Sequence, residues 1–505
     1  MMKLVYETGG LVLGLWLLSG CVSDAQSPES INKQDILAAQ PSFAKQLDLG
    51  EALARAMLYN LDNRVKTMEL AIAEGNANLE NFNMLPEMTV SAGYFRRDRE
   101  DLSSSKNAIT GLLSPATGTS SDREQVSVAL GETWNALDFG IALVRSQELR
   151  AAEQAALQRR RQSLQNILNE TRYAYARAGV AQRIRVELDV MLKEINGALV
   201  AQERLEQSGV AAPLGVLQQQ RDLLAIYNEL LTLRQLLVSA HRELNALVSL
   251  PPGMDVKLAP LPLVKVPEPL NLREREVEIL EVVALQMHPE LRVADSQVFA
   301  QQREIQRAFL SMMPNVEVSK IGNYGSNTFS VYNVYNTLGV RLTHNLINLQ
   351  RLPALREQSR ARLGLEEKKR MALGLAVITK VHLALANFNA LRDEYQFATD
   401  RASISSALAD IMRARYQAGE VSLHERLSAE FFALDTRLKT ELLGAELVNA
   451  IGQIYTNLGI DTVPYGFATD NLAALSEGLQ ERVAMLSNIN RNLIPLAAAI
   501  APSSL

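Results

Sequence analysis

Five histidines, one cysteine and a run of charges around residue 420 are the chemically active side chains of this 505-residue sequence. The histidines are His241, His288, His344, His382 and His424, and none is paired with another. His424-Glu425-Arg426-Leu427-Ser428 starts like a zinc helix, but Ser428 stands where a second imidazole is required. No GxxxxGK[ST] loop is present to cradle phosphates, and Gly-x-Gly patterns are absent from strand–helix junctions. The residues offer no catalytic constellation, no metal site and no cofactor site, so the expectation is a protein that is not an enzyme. Asp410 and Arg413 are spaced as an i,i+3 ion pair on a helix surface, with Arg415 close by. The net charge of −5 and pI of about 5.8 lack the basic footprint of a nucleic-acid binder.

Cys21 closes the apolar run Leu11-Val12-Leu13-Gly14-Leu15-Trp16-Leu17-Leu18, which is too short to span a bilayer as a mature helix. Lys3 precedes the run, and residues 1–20 read as a signal peptide with an atypical n-region, because Glu7 offsets the positive charge. Leu18-Ser19-Gly20-Cys21 resembles a bacterial lipobox, which implies cleavage before Cys21 and acylation of the new N-terminus. Ser23 is not an aspartate, and in such lipoproteins that favours the outer membrane. As the lone cysteine, Cys21 has no intrachain disulfide partner. Residues 21–46, rich in Ser, Gln, Asn, Asp and Pro, read as a lipidated tether.

The elements that must position the rest are two long helical hairpins. Between Gly140 and Glu206 there is no proline and only two interior glycines, Gly179 and Gly197. A helix of roughly 65 residues would be about 100 Å long at ~1.5 Å per residue. Ile184, Leu188, Met191, Ile195 and Ala198 alternate steps of four and three, and Leu223, Leu230, Leu237 and Leu244 recur every seventh residue. That period is a coiled-coil seam. The tip, Gln207-Ser208-Gly209-Val210-Ala211-Ala212-Pro213, has a glycine suited to a helix C-terminus and a proline suited to a helix start. A second hairpin carries Val377, Val381, Ala384, Phe388, Leu391, Tyr395, Ala398, Ala402, Ser405, Ala409, Met412 and Tyr416, and turns at Gly419-Glu420-Val421-Ser422-Leu423.

Gly209 and Gly419 lie 210 positions apart (419 − 209), the distance of a duplicated domain-sized unit. The first repeat covers about 47–250, with a helix from Leu49 to about Met84, strands within about 87–134 and the hairpin at about 141–250. Met88, Val90, Ala92 and Tyr94 alternate with polar residues, as do Val126, Val128 and Leu130, which is the period of a strand. The polar stretch between them reads as a loop to Ser121. A Pro-rich link at 251–275 leads to the second repeat, 276–460, with an interruption at His288-Pro289, strands within about 315–346 and a hairpin at about 350–460. Pro86 and Pro314 lie 228 apart (314 − 86), so the second strand loop should be the shorter by about 18 residues. The tail, 461–505, remains unassigned.

Four strands of about ten residues suit an outer membrane in length, yet four cannot close a barrel. An open edge in lipid leaves unsatisfied backbone groups. Such strands either cap a helical rod in water or are pooled with other copies. This order resembles the TolC-like outer-membrane efflux channels, specifically their lipoprotein branch, over roughly residues 45–465. The resemblance rests on Leu-Gly-Glu-Ala-Leu-Ala-Arg-Ala at 49–56, Leu-Pro-Glu-Met-Thr-Val at 85–90, Leu-Asp-Phe-Gly at 137–140, Gly-Val-Ala-Ala-Pro-Leu-Gly-Val-Leu at 209–217 and Arg-Tyr-Gln-Ala-Gly-Glu-Val-Ser-Leu at 415–423.

The resemblance implies a mainly α fold with a small β part: a homotrimer in which about twelve strands share one barrel above a periplasmic helical tunnel. It implies an outer-membrane duct for small toxic compounds, supplied by a periplasmic adaptor and an inner-membrane transporter. Gly209, Val210, Pro213, Gly419, Val421 and Leu423 become tip residues for adaptor docking. Tyr416, Glu425, Asp410 and Arg413 become candidates for a closed aperture. The match to the family's closing network is partial, since Ser428 and Gly215 stand at positions that are often acidic. Glu425 is then either a solvated helix charge or one of a ring of three carboxylates. The alternatives are a channel for type I protein secretion, or a lipid-anchored periplasmic coiled-coil adaptor.

Overall fold

A computed structural model describes residues 46–208, 213–261, 266–461 and 471–500. Cys21, the signal peptide, nearly all of the tether, Gly209 and Val210 lie outside the described residues. Each half of the chain runs through two shorter helices, paired strands, a helix of more than 70 residues and a helix of 35 residues. The first half opens with β1 (Gln46–Leu47), α1 (Leu49–Tyr59) and α2 (Leu61–Phe82). Then come β2 (Glu87–Arg96), β3 (Leu102–Lys106), β4 (Leu113–Thr119), β5 (Glu124–Asn135), α3 (Ala136–Ser208) and α4 (Pro213–Leu247). The second half opens with β6 (Lys257–Leu258), α5 (Glu274–Met287) and α6 (Pro289–Leu310), followed by β7 (Asn315–Gly325) and β8 (Val334–Thr343). It ends with α7 (Ile347–Gln417), α8 (Leu423–Asn457), α9 (Leu472–Ser487) and α10 (Ile489–Ile500).

The seams are buried where the heptads lie. Ile184, Leu188 and Ile195 of α3 meet Leu223, Leu230 and Leu237 of α4, and Leu427, Phe431, Leu434 and Leu438 of α8 complete the cluster. In the second half Val377, Val381 and Phe388 of α7 pack with Leu447, Ile451 and Ile454 of α8. The unassigned tail belongs to this core. Leu475, Leu479 and Val483 of α9 close over Leu53, Ala54 and Leu168, while Leu486, Ile489, Leu493 and Ala497 join the cluster around Phe388.

Both halves break their first helix at the same place. The stretch from Leu49 to Met84 is not one helix, because Asn60 leaves helical geometry (φ −60, ψ 127). Its Oδ1 accepts from the N–H groups of Asp62 (2.9 Å) and Asn63 (3.4 Å), and its amide donates to Leu247 O at 3.2 Å. An asparagine that caps a new helix ends the old one. His288, 228 positions later (288 − 60), has the same geometry (φ −62, ψ 123) and accepts from Glu290 N at Nδ1 (3.3 Å). Around these breaks α3 is bolted to the second half. Arg161 meets both oxygens of Asp461 at 2.9 Å and donates to Gly459 O (2.6 Å) and Met287 O (3.2 Å).

The sheet is antiparallel in the order β2-β5-β7-β8, so β2 and β8 are its edges. α3 follows β5 directly, and α7 follows β8 after a three-residue link. The stretch between β2 and β5 is not loop throughout: β3 and β4 pair as an antiparallel hairpin with a register shift between Ser104 and Lys106. Its Ser- and Thr-rich strands have no apolar face, so no alternation marks them. The interval 97–123 compares with 326–333 in the second half, a difference of 19 residues (27 − 8).

His288 is 4% exposed, and burial pushes its imidazole below the ordinary range, so the neutral form accepts the helix hydrogen bond. A depressed folded pKa contributes stability that is complete above the unfolded value near 6.5 and declines as pH falls below it. His288→Asn installs the residue type that caps the first half. The midpoint difference in thermal unfolding between pH 7.5 and pH 5 is expected to shrink, with the pH 7.5 midpoint nearly unchanged.

Candidate functional site

Two regions carry unusual geometry: the α7–α8 turn and the sheet. At the turn, Gly419 adopts a left-handed conformation (φ +76), which costs a Cβ-free residue little. Glu420 N returns to Arg415 O at 2.9 Å, and Arg415 braces Glu420 at 3.1 Å. Ser422 then caps α8: its Oγ accepts from Glu425 N (3.2 Å), while Glu425 Oε2 accepts from Ser422 N at 2.7 Å. This is a capping box. The Glu425 carboxylate is fully exposed and turned back on its own turn, and hydrogen bonds donated to it by the Ser422 N–H and the Ser422 hydroxyl (2.8 Å) lower its pKa. Val421 is half-buried, and Leu423 packs against the α3–α4–α8 cluster. Pro213 is the first residue of α4.

A charge network lies one turn further in. Glu430, 9% exposed, accepts from Arg413 Nε of α7 at 2.8 Å and pairs with Arg426 Nη1 at 3.2 Å. Arg413 also reaches Asp410 at 2.9 Å, and the Glu430 hydrogen bond is the main reason its pKa is raised. Arg426 extends to Glu194 of α3 at 2.8 Å and lies 5.0 Å over the Tyr416 ring. Farther along the same seam Arg437 pairs with Glu187, and Arg183 pairs with Glu441 at 2.7 Å. The structure thus joins Tyr416, Asp410 and Arg413 into one cluster and leaves Glu425 outside it. Sequence reasoning missed Arg426, Glu430 and Glu194. The i,i+4 spacing of Arg426 and Glu430 was a local signal, whereas Glu194 is 232 positions away in sequence and gave none. Among the described residues no group of His, Cys, Asp or Glu is arranged to hold a metal.

The sheet has two faces of opposite character. Met88, Val90, Ala92 and Tyr94 pair with Glu132, Leu130, Val128 and Val126, and the same face continues through Val318, Tyr324, Leu338, Val340 and Leu342. Val90 is 75% exposed and Leu338 76%. The other face carries Thr89, Ser91, Ser127, Ser319, Asn323 and Thr337, with Glu317 opposite Arg341. On that face a Cβ at Gly131 would lie 3.1 Å from Thr89 Oγ1, and one at Gly339 would lie 3.0 Å from Ser319 Oγ. Tyr94 is level with Val126, eight residues before Trp134 (134 − 126). At ~3.4 Å per residue that is about 27 Å of strand, or about 21 Å along a barrel axis tilted by 40°. Aromatics therefore stand at both rims of a band close to the ~25 Å apolar height of outer-membrane barrels.

Two helices present apolar stripes that no other described residue of the chain covers. Leu61, Val65, Met68, Ile72, Leu79 and Phe82 of α2 are each more than half exposed and follow a heptad, with Gly75 at the missing step. On α7 Phe397, Ile404 and Ile411 are 56–75% exposed on the face away from its seam. An 18-residue window of that helix reaches a mean hydropathy of 1.6 with only 28% of it buried.

Residues 281–459 match the outer membrane efflux protein family. Among solved structures, the outer-membrane channel OprN superposes with a TM-score of 0.61 at 18% identity, covering 87% of this chain and 98% of that one. CusC, described by its channel formation, gives 0.61 at 20% identity over 84% and 95%. The Campylobacter jejuni CmeC outer membrane channel gives 0.63 at 14% identity over 86% and 89%. No curated protein matches the chain.

Double-mutant cycles should separate the two arms of Arg426. Its link to the buried Glu430 is expected to be worth about 1.5–3 kcal/mol, as for a charged hydrogen bond out of water. Its link to Glu194, which is 42% exposed, should be worth at most about 1 kcal/mol. Urea unfolding of Arg426→Ala, each glutamate→Ala and the pairs measures both.

Proposed function

We propose that this protein is the exit duct of a tripartite efflux system, because residues 281–459 match the outer membrane efflux protein family and the chain has the fold of outer-membrane channels. It forms a homotrimer whose twelve strands close one barrel in the outer membrane and whose long helices continue it as a periplasmic tunnel. The observation that carries this reading is the sheet: four strands, largely apolar on one face, largely polar on the other, and open at β2 and β8. An open edge in lipid costs several kcal/mol per unsatisfied group, so the edges must meet other copies. The uncovered stripes on α2 and α7 supply a helical interface for the same copies.

The duct is passive, with energy coming from an inner-membrane transporter reached through a periplasmic adaptor that docks on the hairpin tips. Cys21 carries the lipid that anchors the N-terminus in the outer membrane. By family analogy the lipoprotein form favours small toxic compounds as cargo over type I protein secretion. The Tyr416–Arg426–Glu430–Arg413 cluster serves as the latch that holds the α7–α8 hairpin against α3 when the aperture is closed.

In planar bilayers the purified oligomer should conduct, and its mass in detergent should equal three chains; a non-conducting single chain would overturn the proposal. Cys21→Ser should still require detergent for extraction, because the barrel remains, whereas a tethered periplasmic adaptor would become soluble. Ile72→Asp on the α2 stripe should reduce the trimer fraction seen by native mass measurement. Arg426→Ala should raise the open probability of the channel, while Glu425→Gln should leave conductance and cation selectivity unchanged.

A further inference from the structure

Arg172 of α3 is 3% exposed, and its Nε has no acceptor. Among the described residues it makes no ion pair. Its neighbour Tyr455 is 1% exposed, and that hydroxyl is also without a partner. Burial pushes the tyrosine up to about 12, so at neutral pH it is an uncharged donor and not a counter-ion. Burial brings the guanidinium down to about 10, still protonated under any physiological condition. A cation buried without a carboxylate or hydrogen bond is strongly unfavourable unless something enters to compensate it.

There is room for such a group. Arg172 lines a cavity of about 480 Å³ between α3, α7, α8 and α9, within the ~300–1,000 Å³ range of small-molecule pockets. Its walls are mostly aliphatic, among them Ala176, Val180, Val448, Ile451 and Val483. The other arginine on its wall, Arg183, is already neutralised by Glu441 at 2.7 Å. One unpaired cation at an apolar cavity therefore defines the chemistry of the occupant: a single negative head and a hydrocarbon body.

We propose that this cavity binds an amphipathic monoanion, a carboxylate on an aliphatic chain, with Arg172 as its counter-ion. A bare small anion would satisfy Arg172 and leave the aliphatic walls unfilled; a neutral lipid would fill the walls and leave the guanidinium unpaired. The site lies in the helical body, apart from the sheet and from the hairpin tips, so it does not depend on the conduction reading.

The test is isothermal titration of the full-length protein in a non-ionic detergent with sodium octanoate, sodium acetate and 1-octanol. Octanoate should saturate one site per chain, at least tenfold more tightly than acetate or octanol. Arg172→Met, which removes the uncompensated charge, should fold and weaken octanoate at least tenfold. Val448→Trp, which fills the cavity and keeps the arginine, should do the same and decides the matter if the first variant fails to fold. Octanoate binding unchanged in these variants overturns the proposal, and so does acetate or octanol binding as tightly as octanoate.

Discussion

The structure depends on backbone hydrogen bonds that one chain cannot complete. Among the described residues, β2 and β8 each present a row of N–H and C=O groups with no neighbour strand, on a sheet with one largely apolar face interrupted by Glu132, Lys320 and Asn336. In water such a face would be an aggregation surface, and in lipid such edges would be prohibitive. Both difficulties vanish together when identical sheets are joined edge to edge and curved into a cylinder.

The helical part transmits that constraint. Each long helix follows closely on a strand, so in the proposed trimer the placing of strands around a ring would dictate the placing of helices beneath it. A helix in such a ring needs two apolar edges, one for its partner within the chain and one for the next copy. α7 shows both: a buried seam through Val377, Val381 and Phe388, and a second exposed line through Phe397, Ile404 and Ile411. The breaks at Asn60 and His288 let the shorter helices change direction beside α3, where Arg161 and Asp461 tie the two halves together.

Much of this was legible in the sequence because it is periodic. Heptads gave the hairpins, alternation gave the four membrane-length strands, and the spacing of Pro86 from Pro314 anticipated unequal loops. What escaped was what periodicity does not encode. The Asn60 break depends on one side chain turning to cap a helix that a smooth apolar pattern seemed to continue. The β3–β4 hairpin has no apolar face, so nothing alternates. Glu425 could be read as a solvated helix charge or as one of a ring of carboxylates; that its carboxylate turns back on Ser422, three residues away, in a capping box is a side-chain geometry the spacing does not settle. Glu194 and Arg426 meet only because α3 and α8 lie side by side, a tertiary fact with no local trace. The tail beyond residue 471 is amphipathic over too few turns to announce where it docks.

The way contacts are spaced along the chain also sets an order of events. α3 with α4, and α7 with α8, close against their immediate neighbours in sequence, and such local contacts form quickly. The β5–β7 pairing instead joins residues like Ser127 and Gly325, separated by almost two hundred positions, and lags behind them. The rods therefore zip first. In the proposed trimer the staves would follow, and their final closure would be a three-body encounter whose rate rises steeply with the local concentration of chains.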